Sequence, residues 1–291
     1  MKKTMLGAIM ITSLAMASAQ ETENSALQIR AANVQFGLLS SNSVVSNLTD
    51  FQKLAPNSDF KEADLIGFKT QNSSFGASGP AFSANVVMAR PNTQSNSRLN
   101  TEFRFGISFQ QTDVLSLSYT RTDEFRVDTL MSSRNGDQIF VDSIYSQDYS
   151  LGYTQRHVMV DADVTISTNP IKRFKFYGGV GLSLGLSVSP YTSIFYNTTS
   201  ELEQSDSQFN TFDREWELDG TYEKFRNKGG FFGRVYVPLA VDFRIGKRKE
   251  SLRNYHLFLE SRTSLMFQSV PELNLLTNTA TVTGFGLRYD F

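Results

Sequence analysis

Apolar and polar residues alternate through most of this chain. In 231–245 the odd positions are Phe231, Gly233, Val235, Val237, Leu239, Val241, Phe243 and Ile245, with Arg234, Tyr236, Asp242 and Arg244 between them. In 174–188 the even positions are Phe174, Phe176, Gly178, Val180, Leu182, Leu184, Leu186 and Val188, against Lys175, Gly179, Gly181, Ser183, Gly185 and Ser187. Tyr255, Leu257, Leu259, Ser261, Thr263, Leu265 and Phe267 oppose His256, Glu260 and Arg262. Shorter runs are Val34, Phe36, Leu38 and Phe82, Ala84, Val86, Met88. The final segment, TVTGFGLRYDF at 281–291, does the same. A period of two is the mark of a β-strand whose faces meet different surroundings.

The middle of the chain predicts one long hairpin. Phe103, Phe105, Ile107 and Phe109 alternate with Glu102, Arg104 and Ser108. After a polar break at Gln111–Asp113, residues Leu115, Leu117, Tyr119, Phe125 and Val127 keep the odd phase. Asn135-Gly136 then signals a tight turn. Reflection about it sets residue 119 opposite about 152, and 103 opposite about 168. The returning arm carries Tyr149, Leu151 and Tyr153, slips phase, and resumes with Val158, Val160, Ala162, Val164 and Ile166. That slip reads as a β-bulge at Gln155–His157, nearly opposite the first break.

Eight strands follow, at about 29–41, 80–90, 99–131, 138–169, 172–200, 228–246, 253–270 and 279–291. A true turn at Gln110–Asp113 would make ten. Connections at 91–98, 169–172 and 246–253 are short and polar, whereas 42–79, 120–150 and 201–227 are long excursions. SNLTDFQKLA, 46–55, predicts a short helix in the first of these. The fold expected is an all-β, transmembrane, antiparallel up-and-down β-barrel of eight strands with a long extracellular β extension.

Composition sharpens this picture. Residues 1–19 have the layout of a secretory signal peptide: Lys2-Lys3, an apolar stretch, then Ala17-Ser18-Ala19. The mature barrel is expected over 20–291, and loss of the two lysines takes the net charge from −1 to −3. There is no cysteine, so no disulfide forms. Nearly balanced charge argues against nucleic acid as a partner. Aromatics end the apolar stripes at Phe103, Phe174, Phe243, Tyr255, Tyr289 and Phe291, as a girdle at a membrane interface would. The charges predicted inside nearly cancel: Glu102, Asp161, Asp163, Asp242, Glu260 and Asp290 against Arg104, Arg173, Lys175, Arg234, Arg244, Arg262 and Arg288. Buried charge is costly unless paired, so balance fits a packed lumen.

Candidate chemistry is sparse. No catalytic residue, cofactor fingerprint or metal cluster is identified. His157 and His256 are expected to face inward, and Asp161 and Asp163 are read as ion-paired with arginines. Gly179, Gly181, Ser183 and Gly185 are read as making room for arginines opposite. Trp216 and Tyr222, beside an expected Asp219-Gly220 turn, could anchor a surface partner; packing on the neighbouring hairpin is the simpler reading.

The signal peptide, eight alternating strands and terminal GFGLRYDF resemble the OmpA- and OmpX-like outer-membrane β-barrel proteins of Gram-negative bacteria. The elongated FRVDTL…NGD…VDSIYSQDY hairpin looks like a feature of Bacteroidota barrels. The resemblance implies that Phe285, Leu287, Tyr289 and Phe291 form the signal read by the barrel-assembly machinery. It also implies outer-membrane location, with lipid and lipopolysaccharide as surroundings. The function expected is structural or surface-binding, toward an unidentified extracellular or envelope ligand. A narrow channel for a small solute is the alternative, and a lipid-modifying enzyme the third reading.

Overall fold

The computed structural model describes residues 27–42, 44–62, 65–71, 77–89, 99–131, 138–168, 173–204, 214–246 and 252–291. The expected signal peptide and the Asn135-Gly136 turn lie outside them. The elements are β1 (Gln28–Ser41), β2 (Val44–Val45), α1 (Leu48–Leu54), a 3-10 turn (Asp59–Glu62), β3 (Lys69–Gln71), β4 (Ala77–Ala89), β5 (Leu99–Met131), β6 (Gln138–Thr168), β7 (Phe174–Gln204), β8 (Arg214–Arg226), β9 (Phe231–Arg244), β10 (Tyr255–Ser269) and β11 (Leu275–Asp290).

Eight of these strands close a ring. β1 pairs β4, then β5, β6, β7, β9, β10 and β11 follow in order, every pair antiparallel. β11 returns to β1 from Ala31↔Asp290 to Ser41↔Ala280. The ten-strand alternative does not form, because β5 runs unbroken through the polar stretch, with Gln110 opposite His157 and Asp113 opposite Thr154. Closure leaves no unpaired edge in the ring, the condition for a sheet to cross lipid.

The two faces of the ring are inverted relative to a protein in water. Val34, Phe36, Phe105, Ile107, Val160, Phe176, Val180, Leu182, Val235, Leu239, Leu259 and Phe285 all point outward and are exposed. So large a continuous apolar surface is a site of contact, not a water-facing skin. The charged residues point inward and are buried. Aromatics mark the end with short connections, called the short end: Phe174 packs on Phe243 at 5.1 Å, Tyr255 on Tyr289 at 5.0 Å, and Tyr289 on Phe291 at 5.4 Å between centroids. One sector of the belt is less apolar. Ser261 and Thr263 of β10 face Thr283 and Thr281 of β11, their hydroxyls 3.3 and 3.5 Å apart.

At the other, long end, β5 to β7 leave the ring and, joined by β8, continue as a sheet of their own. β3 joins the outer side of β5, and β8 pairs β7 from Tyr191↔Arg226 to Leu202↔Arg214. From Leu115 to Met131 this sheet reaches about 55 Å at roughly 3.3 Å per residue.

The apolar face changes sides where the sheet leaves the ring. On β6, Val158 and Val160 point outward, whereas Tyr153 and Leu151 are buried inward. β6 itself keeps strict alternation across this point. The slip read at Gln155–His157 is therefore a change of surroundings, not an extra residue in β6. The extra residues sit on its neighbours: Val114 on β5, skipped between Asp113↔Thr154 and Leu115↔Tyr153, and one of Ser189 and Pro190 on β7, which together face Gln155. Ser189 has φ 54°, the left-handed conformation a bulge uses. Because β5 flips at Val114, Leu115 and Leu117 keep odd parity yet face inward, while Phe105, Ile107 and Phe109 face outward.

Three further expectations are corrected. Tyr119 pairs Tyr149 and Phe103 pairs Val164, three to four residues from the mirrored positions, because the hairpin axis lies nearer its start and β5 carries two irregularities, the second between Arg126 and Asp128. Asp219-Gly220 is not a turn but lies inside β8, where a bulge near Thr198 absorbs the irregularity. Arg173 is exposed at the rim, its guanidinium 4.6 Å from the Phe243 ring, and Arg244 is half-buried.

Candidate functional site

Three layers fill the axis of the molecule. The first, at the short end, is an ion-pair network hung from alternate inward positions of six strands. Glu260 of β10 accepts from Arg104 Nη1 at 2.5 Å, from Tyr177 Oη at 2.7 Å and from Arg262 Nε. Arg104 Nε reaches Asp163 at 2.6 Å, and Asp163 also accepts from Tyr236 Oη at 2.9 Å. Glu102 accepts from Lys175 Nζ at 2.5 Å and Arg288 Nη1 at 3.0 Å. Arg234 is fixed by Ser183 at 2.8 Å, Gln110 at 2.9 Å and Asp161 at 3.5 Å. His256 Nδ1 lies 2.7 Å from Asp242. Asp161 and Asp163 are thus ion-paired with arginines, and Glu102, Glu260, Asp242 and Asp290 each meet a predicted inward cation, while Arg173 lies at the rim. Of the small residues opposite, Ser183 does face an arginine, Arg234, while the glycines make room for other groups. A Cβ on Gly181 would run into the Tyr236 ring, and one on Gly185 into Met159.

Above the network lies an apolar layer of Leu39, Met159, Phe232, Met266, Ala280 and Val282. His157 is buried here with its ring 4.1 Å from that of Phe232. A cavity of about 10 Å³ beside Gln35, Ser83, Ser108 and Gln110 has room for about one water molecule.

The third layer is a lid over the long end. Asn47 caps α1: its side chain accepts from Asp50 N at 2.9 Å, and Asp50 Oδ2 accepts from Asn47 N in return. Phe51 and Leu54, three apart and so on one face, pack with Ala55 and Phe60 onto Val114, Leu115, Leu117, Leu151, Tyr153, Ile194 and Val270. Phe60 and Phe68 close on Tyr149, which stacks on Tyr196 at 4.5 Å. Asn227 Nδ2 donates to Leu54 O at 2.7 Å, and Ser58 Oγ to Glu223 at 2.5 Å, fastening the lid to β8. Burial here pushes the Tyr153 phenol up to about 12, with the Gln155 amide opposing the shift and Glu272 adding to it. The described part of the first long excursion, 42–79, is thus a folded cover. Asn47→Ala should cost roughly 1 kcal/mol. Amide exchange of 48–54 should then quicken while that of the ring strands stays as in the parent.

Beyond the lid, the sheet's outer flank is polar, with Ser116, Ser118, Thr120 and Ser150, interrupted by Phe195 and Tyr222. These two lie opposite each other on β7 and β8, and Tyr222 is 59% exposed. Trp216 stands opposite Ser200 in the same ladder. Phe285, Leu287 and Phe291 point outward and are exposed, with Tyr289 between them half-buried among aromatic neighbours. The described residues hold no helix long and apolar enough to cross a membrane and no group of three or more potential metal ligands.

No family model and no curated protein matches this chain. Solved structures do align with it. Neisserial surface protein A covers 90% of this chain and 99% of its own, at 11% identity and a TM-score of 0.29. Ail, the attachment invasion locus protein of Yersinia pestis, solved with the heparin analogue sucrose octasulfate, covers 90% and 100% at 9% identity and a TM-score of 0.25. The translocator domain of the autotransporter NalP from Neisseria meningitidis covers 100% and 98% at 8% identity and a TM-score of 0.17. Superposition is loose in all three, and the conclusion that this chain is a closed, eight-stranded transmembrane β-barrel stands on its own ring of strand pairs and its inverted faces.

Proposed function

We propose that this protein is an integral outer-membrane β-barrel of a Gram-negative bacterium, inserted through the barrel-assembly machinery. The ring anchors it, and the sheet of β5 to β8 is presented outside the cell to bind an extracellular or envelope ligand. The observation that carries this reading is the division of labour along the axis. The ring is filled by paired charges, an apolar layer and a lid, while the β5–β8 sheet extends far past the apolar belt. An anchor needs a filled interior; a spanning strand needs only about 9–11 residues, and the remaining length of β5 to β7 has no role in crossing lipid.

Thr122 and Ser146 are paired across β5 and β6. Residues 122–146 can therefore be replaced by a two-residue turn without disturbing the Tyr119–Tyr149 rung under the lid. The shortened protein should still reach the outer membrane folded, and should lose surface binding of cells or envelope proteins. Unchanged binding with altered solute permeability would favour the channel reading instead.

A further inference from the structure

We propose that the outer flank of β6, β7 and β8, just above the apolar belt, binds the phosphate groups of a membrane lipid. The proposal rests on the belt facing lipid and not on ligand binding by the sheet.

Arg156 is the next outward residue of β6 above Val158, and it pairs in register with Val188 of β7. Val158, Leu186 and Phe231 below it, and Val188 beside it, are exposed and apolar. The guanidinium therefore begins where the acyl chains must end. Its Nε donates to Gln111 Oε1 at 3.1 Å, which orients the fork and leaves its two terminal nitrogens without a partner among the described residues. Just beyond the Ser189–Pro190 bulge, Tyr191 sits opposite Arg226 of β8, and Lys224 Nζ lies 4.0 Å from the Tyr191 ring centroid. Lys224 and Arg226 are exposed on this same flank, with Tyr222 and Phe195 above them.

Three cations thus cluster beside a single carboxylate on the same flank, and no carboxylate among the described residues is in ion-pair contact with them. Asp113, the acidic neighbour on this flank, accepts from Thr154 Oγ1 at 2.6 Å. Glu223 points to the other face of the sheet and holds Ser58. Glu272 accepts from the backbone of Lys228. In a chain of net charge −1, this is a local excess placed at headgroup height. Arg recognises phosphate with paired N–H donors, and interfacial Tyr sits at the same depth. A soluble anion would gain nothing from the apolar residues beneath. A lipid gains from both, with acyl chains on Val158, Leu186 and Val188 and phosphates on Arg156, Lys224 and Arg226.

The test uses the full mature chain folded into phosphatidylcholine vesicles containing a trace of bis-phosphorylated lipid A, with retained lipid read by native mass spectrometry. Wild type should retain lipid A. The triple variant R156Q/K224Q/R226Q should retain at least about tenfold less at low salt. The control K53Q/K69Q should bind as wild type does, and each protein's folding is checked by its heat-resistant gel mobility. Equal retention by the triple variant, or equal retention of dephosphorylated lipid A, would overturn the proposal. Full displacement of lipid A by millimolar inorganic phosphate would overturn it in favour of a plain anion site. Failure of wild type to enter vesicles at all would overturn the membrane reading first, and this proposal with it.

Discussion

Glu260→Ala should cost the folded barrel about 3–5 kcal/mol. Glu260 is fully buried and takes charge-assisted bonds from Arg104 and Arg262 and a hydroxyl bond from Tyr177. Truncation removes the anion but leaves both guanidiniums inside the ring. Arg104 keeps Asp163, but Arg262 then has Asp161 at 3.7 Å and the neutral Ser83 hydroxyl at 3.5 Å. The penalty is that of leaving a desolvated cation short of its partner, and not the modest net worth of an intact pair. Urea titration of the protein folded in vesicles, followed by gel mobility, reads the change directly. A loss below about 1 kcal/mol would show that water reaches this network and screens it. Such a result would reopen the question of a conducting path through the ring.

Val237→Arg should cost about 2–4 kcal/mol, for a different reason. Val237 lies midway along the outward row from Phe231 to Phe243 and is 46% exposed, with Thr263 as its partner on β10. A substitution at so open a position on a water-facing strand would stay within about 0.5 kcal/mol. At the centre of a bilayer the guanidinium has neither water nor an anion. The same vesicle titration measures it, and a neutral outcome would mean the outward face is not in lipid.

Much of the ring was legible because parity is a strong signal. Once Phe285 and Leu287 point one way, Arg288 points the other, whatever the surroundings. With the turns between them, eight strands and most of the inward charges follow from this, Arg173 and Arg244 at the strand ends excepted. Which charge meets which does not. Arg104 reaches Glu260 from across the ring, and that pairing depends on the stagger of the closed sheet, which no local pattern records. The lid helix was readable from its cap and from Phe51 and Leu54, but its seat was not. Leu115 and Leu117 continue the odd apolar pattern of the strand below, and the phase slip before Leu151 and Tyr153 reads equally well as a bulge, so neither arm says that its apolar face turns from the outside to the inside. β8 went unseen as a strand because Asp219-Gly220 reads as a turn and its charges fall on both faces. Only pairing with β7 makes it a strand. The lipid-phosphate flank was hidden for a related reason: Arg156, Lys224 and Arg226 come together only after the Ser189–Pro190 bulge re-aims β7.

Val114 behaves like an inserted letter in a two-letter reading frame. It and Leu115 are both buried, and it is the residue skipped between Asp113↔Thr154 and Leu115↔Tyr153. Without it, plain alternation would still carry the strand from Asp113 outside to Leu115 inside, and the pairing with β6 would keep its register. A residue lost further along, between Leu115 and Tyr119, has no such slack: the rest of the arm would exchange faces or slide against β6. Drift in length is therefore cheap at this one letter and costly in the word that follows it.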